Sequence, residues 1–557
     1  MTTTDRPREP RGAKGTKDGA VAPPEERGEK VTTDQVVLGV VAVIAVALVL
    51  WGSFGSESLG NVVGDALAWV VDGFGWLFVL AATGFVLFSF WLAFSRYGRI
   101  PLGKEGEEPE FRTISWIAMM FSAGMGIGLM FYGAYEPLWH FLNAPPGSEG
   151  VEPASAAMAT TLFHWTLHPW AMYAIVGLAI AYSTYRVGRR QLISSAFVPL
   201  FGEKRMDSLG GRAIDMLALF ATLFGSAASL GLGALQINAG LNEVGGIEPN
   251  ELVQVLIIAV LTVAFVMSAV SGIAKGIQWL ANTNMVLAIV LAAFVFLAGP
   301  TILILNLVPT AVGTYIAELP GMSALTAANS PEAATWLSSW TIFYWAWWVS
   351  WTPFVGMFIA RISRGRTIRQ FVVGVILIPS TVSLVWFSIF GGAGIGAERN
   401  GADLTQGGEA TTDSSLFNLL NEFPLAGVTS VLVIILVAIF FVSGADAASM
   451  VMGTLSQRGT QHPTRPVVIF WGVLMGAVAA VMLLLGGATA LTGLQNLTIL
   501  AAFPFALVMI GLCVSLAMDV RRDPMMQGPR DSIGQRAREA VADTERARER
   551  GRGEARR

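Results

Sequence analysis

Long apolar runs recur along almost the whole chain, and they restrict the folds that are open to it. Each run is near the length of about 20 residues that a helix needs to cross a lipid bilayer. Only 13% of the 557 residues are charged, whereas soluble domains carry about 25%. Because the bilayer core has no water to satisfy backbone polar groups, such runs must form helices. The sequence therefore predicts an all-α polytopic membrane protein.

The apolar runs predict twelve membrane spans. They lie at 36–54, 75–95, 114–133, 157–184, 213–240, 252–272, 284–307, 340–361, 370–391, 428–453, 467–488 and 497–519. Loops after even-numbered spans are rich in arginine and lysine, whereas the other loops contain Arg399 as their only basic residue. Basic loops stay in the cytoplasm. We therefore expect a multi-pass protein of the cell membrane with both termini in the cytoplasm.

Polar segments flank the predicted membrane domain, which covers residues 35–520. Residues 1–34 contain seven basic and seven acidic side chains, a composition typical of a disordered cytoplasmic tail. Residues 521–557 contain eleven arginines and seven acidic residues, and 531–550 has the composition of an exposed helix. Anionic lipids of the inner leaflet attract such a segment. A solvated tail without a role fits the same composition.

The densest group of aromatic residues lies in the eighth predicted span. Tyr344, Trp347, Trp348 and Trp351 follow one another at i, i+3, i+4 and i+7, which places four rings on one face of a helix. Ring faces suit a quaternary ammonium group, which has no N–H to donate. Plain packing and a belt of aromatic residues at the membrane surface fit the same pattern.

Glycines crowd the third predicted span at Gly124, Gly126 and Gly128. Glycine weakens a helix, and helices broken near the midplane bind ions and charged substrate groups in transporters. We therefore expect a break in this span, although close packing of helices through small residues gives a similar pattern. In the fourth span, Pro169 predicts a kink.

Other polar residues lie within predicted spans. His164 and His168 are four residues apart, but a zinc site needs a third ligand, and none is evident in the sequence. Thr222 and Ser226 in span five either bond back to their own helix or offer oxygen to sodium. Asp446 marks a functional position because a carboxylate is costly in an apolar run. Alternatively, it lies near the cytoplasmic end of its span and pairs with an arginine.

Three segments together resemble the betaine/choline/carnitine transporter family. They are GMGIG at 124–128, HWTLHPWAMY at 164–173 and WAWWVSWTPFVGMFIARISRGRTIR at 345–369. The resemblance extends over residues 36–520 and is strongest to the sodium-coupled glycine betaine carriers. It implies two inverted five-helix repeats, spans three to seven and eight to twelve, preceded by two extra helices. It also implies a homotrimer.

The resemblance implies a substrate site in which the glycine stretch closes an aromatic cage. The residues that it implies are Ile127, Gly128, Trp165, Tyr173, Ser229, Trp347, Trp348 and Trp351. Choline carriers of the family tend to have an acidic residue at the position of Gly128. The glycine in this chain favours a zwitterion such as glycine betaine over a purely cationic ligand.

The resemblance also implies sodium sites, and this chain departs from the family at one of them. The candidates are Ser122, Ala123, Met125, Phe440 and Ser443 for one site, and Thr222 and Ser226 for the other. In the family, two successive hydroxyl residues complete the first site. Here Gly444 follows Ser443, so one hydroxyl is missing.

The sequence therefore predicts a symporter that imports glycine betaine or a related betaine with sodium by alternating access. The alternative is a proton-coupled choline transporter or a carnitine/betaine transporter of the same family. No nucleophile–base pair is evident, so we expect no enzymatic activity, no cofactor beyond the coupling ion and no nucleic-acid partner. Regulation by osmotic stress would involve arginines of the C-terminal tail: Arg536, Arg538, Arg546, Arg548 and Arg550.

Overall fold

The computed structural model describes residues 32–124, 126–271, 274–405, 410–485 and 490–527. Within these ranges the regular structure is helical, apart from one isolated β-bridge. The first helices are α1 (Gln35–Phe54), α2 (Ser56–Phe94), α3 (Thr113–Gly124), α4 (Ile127–Leu142), α5 (Pro153–Trp165), α6 (Leu167–Ala181), α7 (Val198–Phe201), α8 (Glu203–Met206) and α9 (Leu209–Gly245). The others are α10 (Glu251–Ser271), α11 (Ala274–Ala298), α12 (Thr301–Ala324), α13 (Pro331–Leu337), α14 (Phe343–Ile362), α15 (Ile368–Arg399), α16 (Ser415–Asn421), α17 (Ala426–Ser456), α18 (Arg465–Leu485) and α19 (Ala490–Arg521).

Many of these helices have the length and composition of membrane spans. Among the described residues, nine helices are long and apolar enough to cross a bilayer. This observation agrees with the predicted class of helical membrane protein. The exact number of spans and their arrangement as two repeats stay predictions.

Two predicted spans are interrupted in the structure. Span three is divided into α3 and α4, and Gly126 before α4 has an extended backbone (φ −164°, ψ −178°). Span four is divided into α5 and α6 at Thr166 (φ −118°, ψ −104°). This break lies three residues before Pro169, whose ring is incompatible with a regular helix interior. Breaks are therefore present where the glycines and the proline predicted them.

Several predicted span boundaries are wrong. Helix α2 begins at Ser56 and not near residue 75. Helix α4 continues to Leu142, beyond the predicted end at 133. The predicted seventh span is divided at Gly299 and Pro300 into α11 and α12, because proline cannot continue a helix from the preceding turn.

Helix α14 carries the tryptophan-rich segment and lies in the interior of the bundle. It packs against α6, α9 and α19. Trp345 and Trp347 are among the largest fully buried side chains of the described chain. A belt at the membrane surface therefore does not account for the aromatic residues in the middle of this helix.

The turn that follows α14 is joined to the loop between α2 and α3. Leu102 N donates a hydrogen bond to the Arg366 carbonyl (2.7 Å), and Gly365 N donates to the Leu102 carbonyl (2.8 Å). We call this contact of residues 100–110 with residues 363–368 the loop clasp. It fixes the end of α14 next to the start of α3.

Asp523, just after α19, holds the end of the described chain to the bundle. Arg186 donates to both of its carboxylate oxygens (2.9 Å each) and also to the Gly103 carbonyl (3.2 Å). Burial alone would raise the pKa of Asp523, but hydrogen bonds from Arg186, the Met525 backbone and Tyr182 outweigh it and lower that pKa. Arg186 thus connects the start of the C-terminal tail at Asp523 to the loop that forms the clasp.

Candidate functional site

A narrow cavity lies where the two interrupted spans face α14. Its lining residues are Gly126, Gly128, Leu129, Trp165, Pro169, Trp170, Tyr173, Trp347, Trp348, Trp351 and Ser383. The cavity has a volume of about 40 Å³, several times the roughly 10–15 Å³ that one water molecule needs on the same measure. The cavity therefore has room for more than one water-sized group between the rings.

Six aromatic residues line this cavity, and we call five of them the aromatic cage: Trp165, Tyr173, Trp347, Trp348 and Trp351. Trp347 and Trp348 stack with ring centroids 4.7 Å apart and ring planes at 14°. Trp165 stands edge-on to Trp348 at 4.9 Å, and Tyr173 stands edge-on to it at 6.4 Å. Several π faces thus surround one small volume, which suits a cationic ligand.

The structure brings most of the predicted substrate residues together. Gly128 and the five residues of the aromatic cage line the cavity. Ser229 lies behind a ring, where its Oγ accepts a hydrogen bond from Trp347 Nε1 (3.2 Å). Ile127 is buried against Gly233 of α9 and is not among the lining residues of the described cavity.

Gly128 permits the close approach of two walls of the cage. A Cβ atom at this position would lie 2.8 Å from Trp347 Cη2 and 2.9 Å from Trp165 Cη2. Both distances are shorter than carbon–carbon contacts at van der Waals separation, about 3.5–4.0 Å. Any side chain at position 128 would therefore push these rings apart.

Two hydrogen-bond donors of the cage have no partner among the described residues. Trp351 Nε1 and Tyr173 Oη are buried and lack an acceptor within the described part of the chain. Both side chains line the cavity. Since buried polar groups are nearly always hydrogen-bonded, a ligand atom or water that accepts hydrogen bonds would satisfy these donors.

Glu136 is a site residue that sequence reasoning missed. It is fully buried, its Oε1 lies 2.7 Å from His164 Nδ1, and its Oε2 accepts hydrogen bonds from Trp165 Nε1 (2.6 Å) and the Tyr344 hydroxyl. The predicted end of span three at 133 had placed this carboxylate in a loop. The apolar pattern of FYGAYEPLWHFL, which continues to Leu142, was the available signal.

The histidine pair considered from the sequence does not converge. His168 stacks on Trp345 with centroids 5.0 Å apart, whereas His164 turns toward Glu136. The ligand atoms of Glu136, His140 and His164 lie within 4.8 Å of one another. This group does not include His168, and the oxygens of Glu136 already have hydrogen-bond partners in His164, Trp165 and Tyr344.

The first predicted sodium site is only partly described. Ser122 and Ala123 belong to the last turn of α3, and Met125 lies outside the described residues. Phe440 and Ser443 lie on α17, where Ser443 Oγ donates to the Ile439 carbonyl (2.8 Å). The arrangement of these residues around an ion stays a prediction.

The second predicted sodium site lies on α9. Thr222 Oγ1 donates to the Ala218 carbonyl (2.8 Å), which leaves its oxygen lone pairs available. Ser226 Oγ is buried and has no hydrogen-bond partner within the described residues. A buried hydroxyl without a partner is the kind of oxygen that a hard cation can use.

Asp446 is buried in α17 with 4% of its surface exposed. Its Oδ2 has no hydrogen-bond partner in the part of the chain that the structure describes, and no arginine there forms an ion pair with it. The alternative of an arginine partner thus receives no support. The tail arginines, 536, 538, 546, 548 and 550, lie outside the described residues.

Comparison with known proteins identifies the class. Residues 36–525 match the family described as BCCT, betaine/carnitine/choline family transporter. The chain therefore belongs to this family, as its three motifs predicted, and it is a multi-pass membrane transporter and not an enzyme.

Several curated relatives cover most of the chain. It is 47% identical over 498 residues to the "Betaine/ectoine transporter LcoP" of Corynebacterium glutamicum (88% of this chain, 78% of that protein). It is 47% identical over 489 residues to the "Glycine betaine transporter OpuD" of Bacillus subtilis (87% and 94%). A "Glycine betaine transporter" of Acinetobacter baylyi is 40% identical over 458 residues (82% and 68%).

Proposed function

We propose that this protein is a symporter that imports glycine betaine, or a related betaine, together with sodium. The aromatic cage is the observation that carries the substrate class. Each desolvated contact between a ring and a quaternary ammonium contributes about 1–2 kcal/mol. The relatives from Bacillus subtilis and Acinetobacter baylyi, both named as glycine betaine transporters, support the same substrate.

The polar atoms of the cavity favour a zwitterion. The unpartnered donors Trp351 Nε1 and Tyr173 Oη would be satisfied by a carboxylate, since an unsatisfied buried donor costs about 1–3 kcal/mol. Gly128 adds no acidic group that would repel the carboxylate. Glycine betaine combines the required ammonium and carboxylate in one small molecule.

Sodium coupling is supported by the buried oxygen of Ser226 and by the interruption of span three between α3 and α4. A helix that ends within the membrane exposes carbonyl groups, which coordinate ions in transporters. The same interruption gives α3 and α4 freedom to move separately, as alternating access around a central site requires. In this proposal sodium orders the interrupted segment and substrate then completes the cage.

The remaining architecture is proposed from the motifs and the loop charges. It comprises twelve spans with two inverted repeats, cytoplasmic termini, a homotrimer and a C-terminal tail that contacts anionic lipids. Asp34, near the start of the described chain, and Arg189, which pairs with Asp519 at the end of α19, line one surface pocket. Both ends of the described chain thus lie at one face, which fits an even number of spans.

Uptake into proteoliposomes tests the coupling. We expect an inward sodium gradient to drive accumulation of labelled glycine betaine, and a sodium ionophore to abolish it. An inward proton gradient without sodium should give only equilibration. Accumulation of choline driven by protons, or uptake that requires internal carnitine, would instead establish the alternative transporter types.

Ectoine is a candidate second substrate because one relative is named a betaine/ectoine transporter. Ectoine carries a delocalised cation and a carboxylate, which the cage and its free donors can both accept. We expect unlabelled ectoine to compete with labelled glycine betaine. Absence of competition at a large excess would restrict the site to quaternary ammonium compounds.

A further inference from the structure

A buried carboxylate lies directly behind the aromatic cage. Oε2 of Glu136 accepts hydrogen bonds from Trp165 Nε1 (2.6 Å) and from the Tyr344 hydroxyl. On the other oxygen, the ion-pair neighbours within the described residues are two histidines, His164 at 2.7 Å and His140 at 3.6 Å, with no lysine or arginine. None of these partners carries a permanent positive charge.

The two rings that donate to Glu136 are connected to the rest of the cage. Trp165 lines the cavity and stands edge-on to Trp348 at 4.9 Å. Tyr344 stacks on Trp348 with centroids 5.8 Å apart and ring planes at 19°. The Glu136 carboxylate therefore bonds directly to Trp165, which lines the cavity. Through Tyr344 it also contacts the ring that stacks on Trp348, on another wall of the cavity.

A hydrogen bond to an anion changes the ring that donates it. Hydrogen-bonded groups polarise one another, most strongly where water is excluded, and bonds to an ionised acceptor are the strong ones. An indole N–H or phenol O–H that donates to a carboxylate gains electron density in its ring. Because a cation is attracted by the negative face of the ring, such a ring binds an ammonium group more tightly.

We propose that Glu136 is a positioning residue that supplies the negative charge of the substrate site from behind the rings. It acts through Trp165 and Tyr344 and strengthens their attraction for a quaternary ammonium, without touching the ligand. This inference rests on the proposed function and deepens it. It explains how a cavity with glycine at position 128 attracts a cation without placing an acid next to the ligand carboxylate.

Two ligands of the same shape distinguish the effect of the ammonium charge from the effect of steric fit. Glycine betaine carries a trimethylammonium group, whereas 3,3-dimethylbutanoate has a carbon atom in place of the nitrogen and keeps the carboxylate. In the purified full-length protein, we expect Glu136→Gln to weaken glycine betaine binding about tenfold, as the loss of a cation–π contribution would. Inhibition by 3,3-dimethylbutanoate should change less than about twofold, since dispersion contacts are retained.

A matched control disturbs the same network without removing the charge. Thr341 Oγ1 lies 3.0 Å from His164 Nε2, on the far side of the histidine from Glu136. Thr341→Val should leave the ratio of the two affinities unchanged. Tyr344→Phe removes only one donor to the carboxylate and should give a smaller loss that is again specific for the cation.

The outcomes distinguish the inference from the proposed function. Equal weakening of both ligands in Glu136→Gln would reduce Glu136 to a packing role and overturn the inference, while betaine transport by the wild type would stand. A wild-type protein that binds no betaine would overturn both the inference and the proposed function.

If Glu136→Gln does not fold, Tyr344→Phe decides in the same assay. If the isostere does not bind the wild type, a raised KM with unchanged maximal rate in Glu136→Gln supports the inference, and an unchanged KM overturns it.

Discussion

At the scale of single residues, Gly128 sets the spacing of the cage. A methyl group there would meet Trp347 and Trp165 at less than 3 Å, so the rings would separate or distort. Overpacking of a tight site costs about 1–3 kcal/mol. We therefore expect Gly128→Ala to raise the KM for glycine betaine about tenfold, measured from initial rates of uptake under a fixed sodium gradient.

Gly126 provides the control for this substitution. Its backbone is extended, which any residue adopts, and a Cβ there would lie 3.9 Å from Trp351 Cη2. We expect Gly126→Ala to change the same KM much less than Gly128→Ala does. Equal effects of the two substitutions would show that the spacing of Trp347 and Trp165 does not control affinity.

Ser226 tests the second sodium site at the same scale. Its buried hydroxyl has no partner in the described chain, so its removal should cost little stability but remove one oxygen ligand. We expect Ser226→Ala to raise the sodium concentration for half-maximal uptake several-fold. Ser449→Ala, which removes a buried hydroxyl already bonded to the Asp446 carbonyl, should leave the sodium dependence unchanged.

At the scale of elements, the loop clasp positions the end of α14. Gly365 has a positive φ of 81°, and a Cβ there would lie 2.4 Å from the Glu108 carbonyl oxygen. Gly365→Ala should therefore open the clasp, lower the melting temperature in detergent and reduce the rate of uptake.

Gly401 separates backbone strain from loss of the clasp. Its φ is also positive (88°), but no atom lies within 4 Å of a Cβ built on it. Gly401→Ala should show only the cost of a left-handed alanine, about 1–2 kcal/mol. If both alanine variants behave alike, contact across the clasp contributes nothing to transport.

The elements also show what the sequence could and could not predict. Glycines and Pro169 revealed the interruptions of two spans, because both residue types act locally on the backbone. The continuation of α4 past residue 133 was missed, since Glu136 and His140 are polar and their burial depends on partners from α5 and α14. Such long-range pairing leaves no local signal at these two polar positions, although the apolar pattern around them continues to Leu142.

Two further differences between prediction and structure concern the seventh span and the lining of the cavity. The apolar character of 284–307 continues across Gly299 and Pro300, so hydropathy alone merged the end of α11 with the start of α12. Trp347, Trp348 and Trp351 were predicted to line the substrate site by resemblance to a family, and spacing alone left packing open. Leu129 and Ser383 also line the cavity, but they were not predicted, because only the packing of distant helices brings them there.

At the scale of the whole molecule, the proposed regulation by the C-terminal tail can be tested separately from transport. Removal of residues 528–557 leaves Asp519 and Asp523 in place, together with their contacts to Arg189 and Arg186. We expect this truncated protein to keep its basal rate of betaine uptake and to lose stimulation at high osmolality. Proteoliposomes that contain anionic lipid provide the measurement.

A full-length variant separates tail charge from tail length. Replacement of Arg536, Arg538, Arg546, Arg548 and Arg550 by glutamine keeps the segment but removes five positive charges. Because each basic residue near an anionic membrane contributes about 1 kcal/mol, this variant should match the truncation. Normal stimulation in both would leave the tail without a sensing role.

The unpartnered donors of the cage have a consequence for ligands that the protein does not carry. Trp351 Nε1 and Tyr173 Oη are buried and have no acceptor in the described chain, so a bound ligand satisfies them only if it offers an acceptor. Tetramethylammonium offers the same methyl groups as glycine betaine but nothing to receive these hydrogen bonds. Each donor left bare costs about 1–3 kcal/mol. Discrimination against tetramethylammonium would thus arise from the hydrogen bonds that it leaves unformed as much as from the contacts that glycine betaine makes.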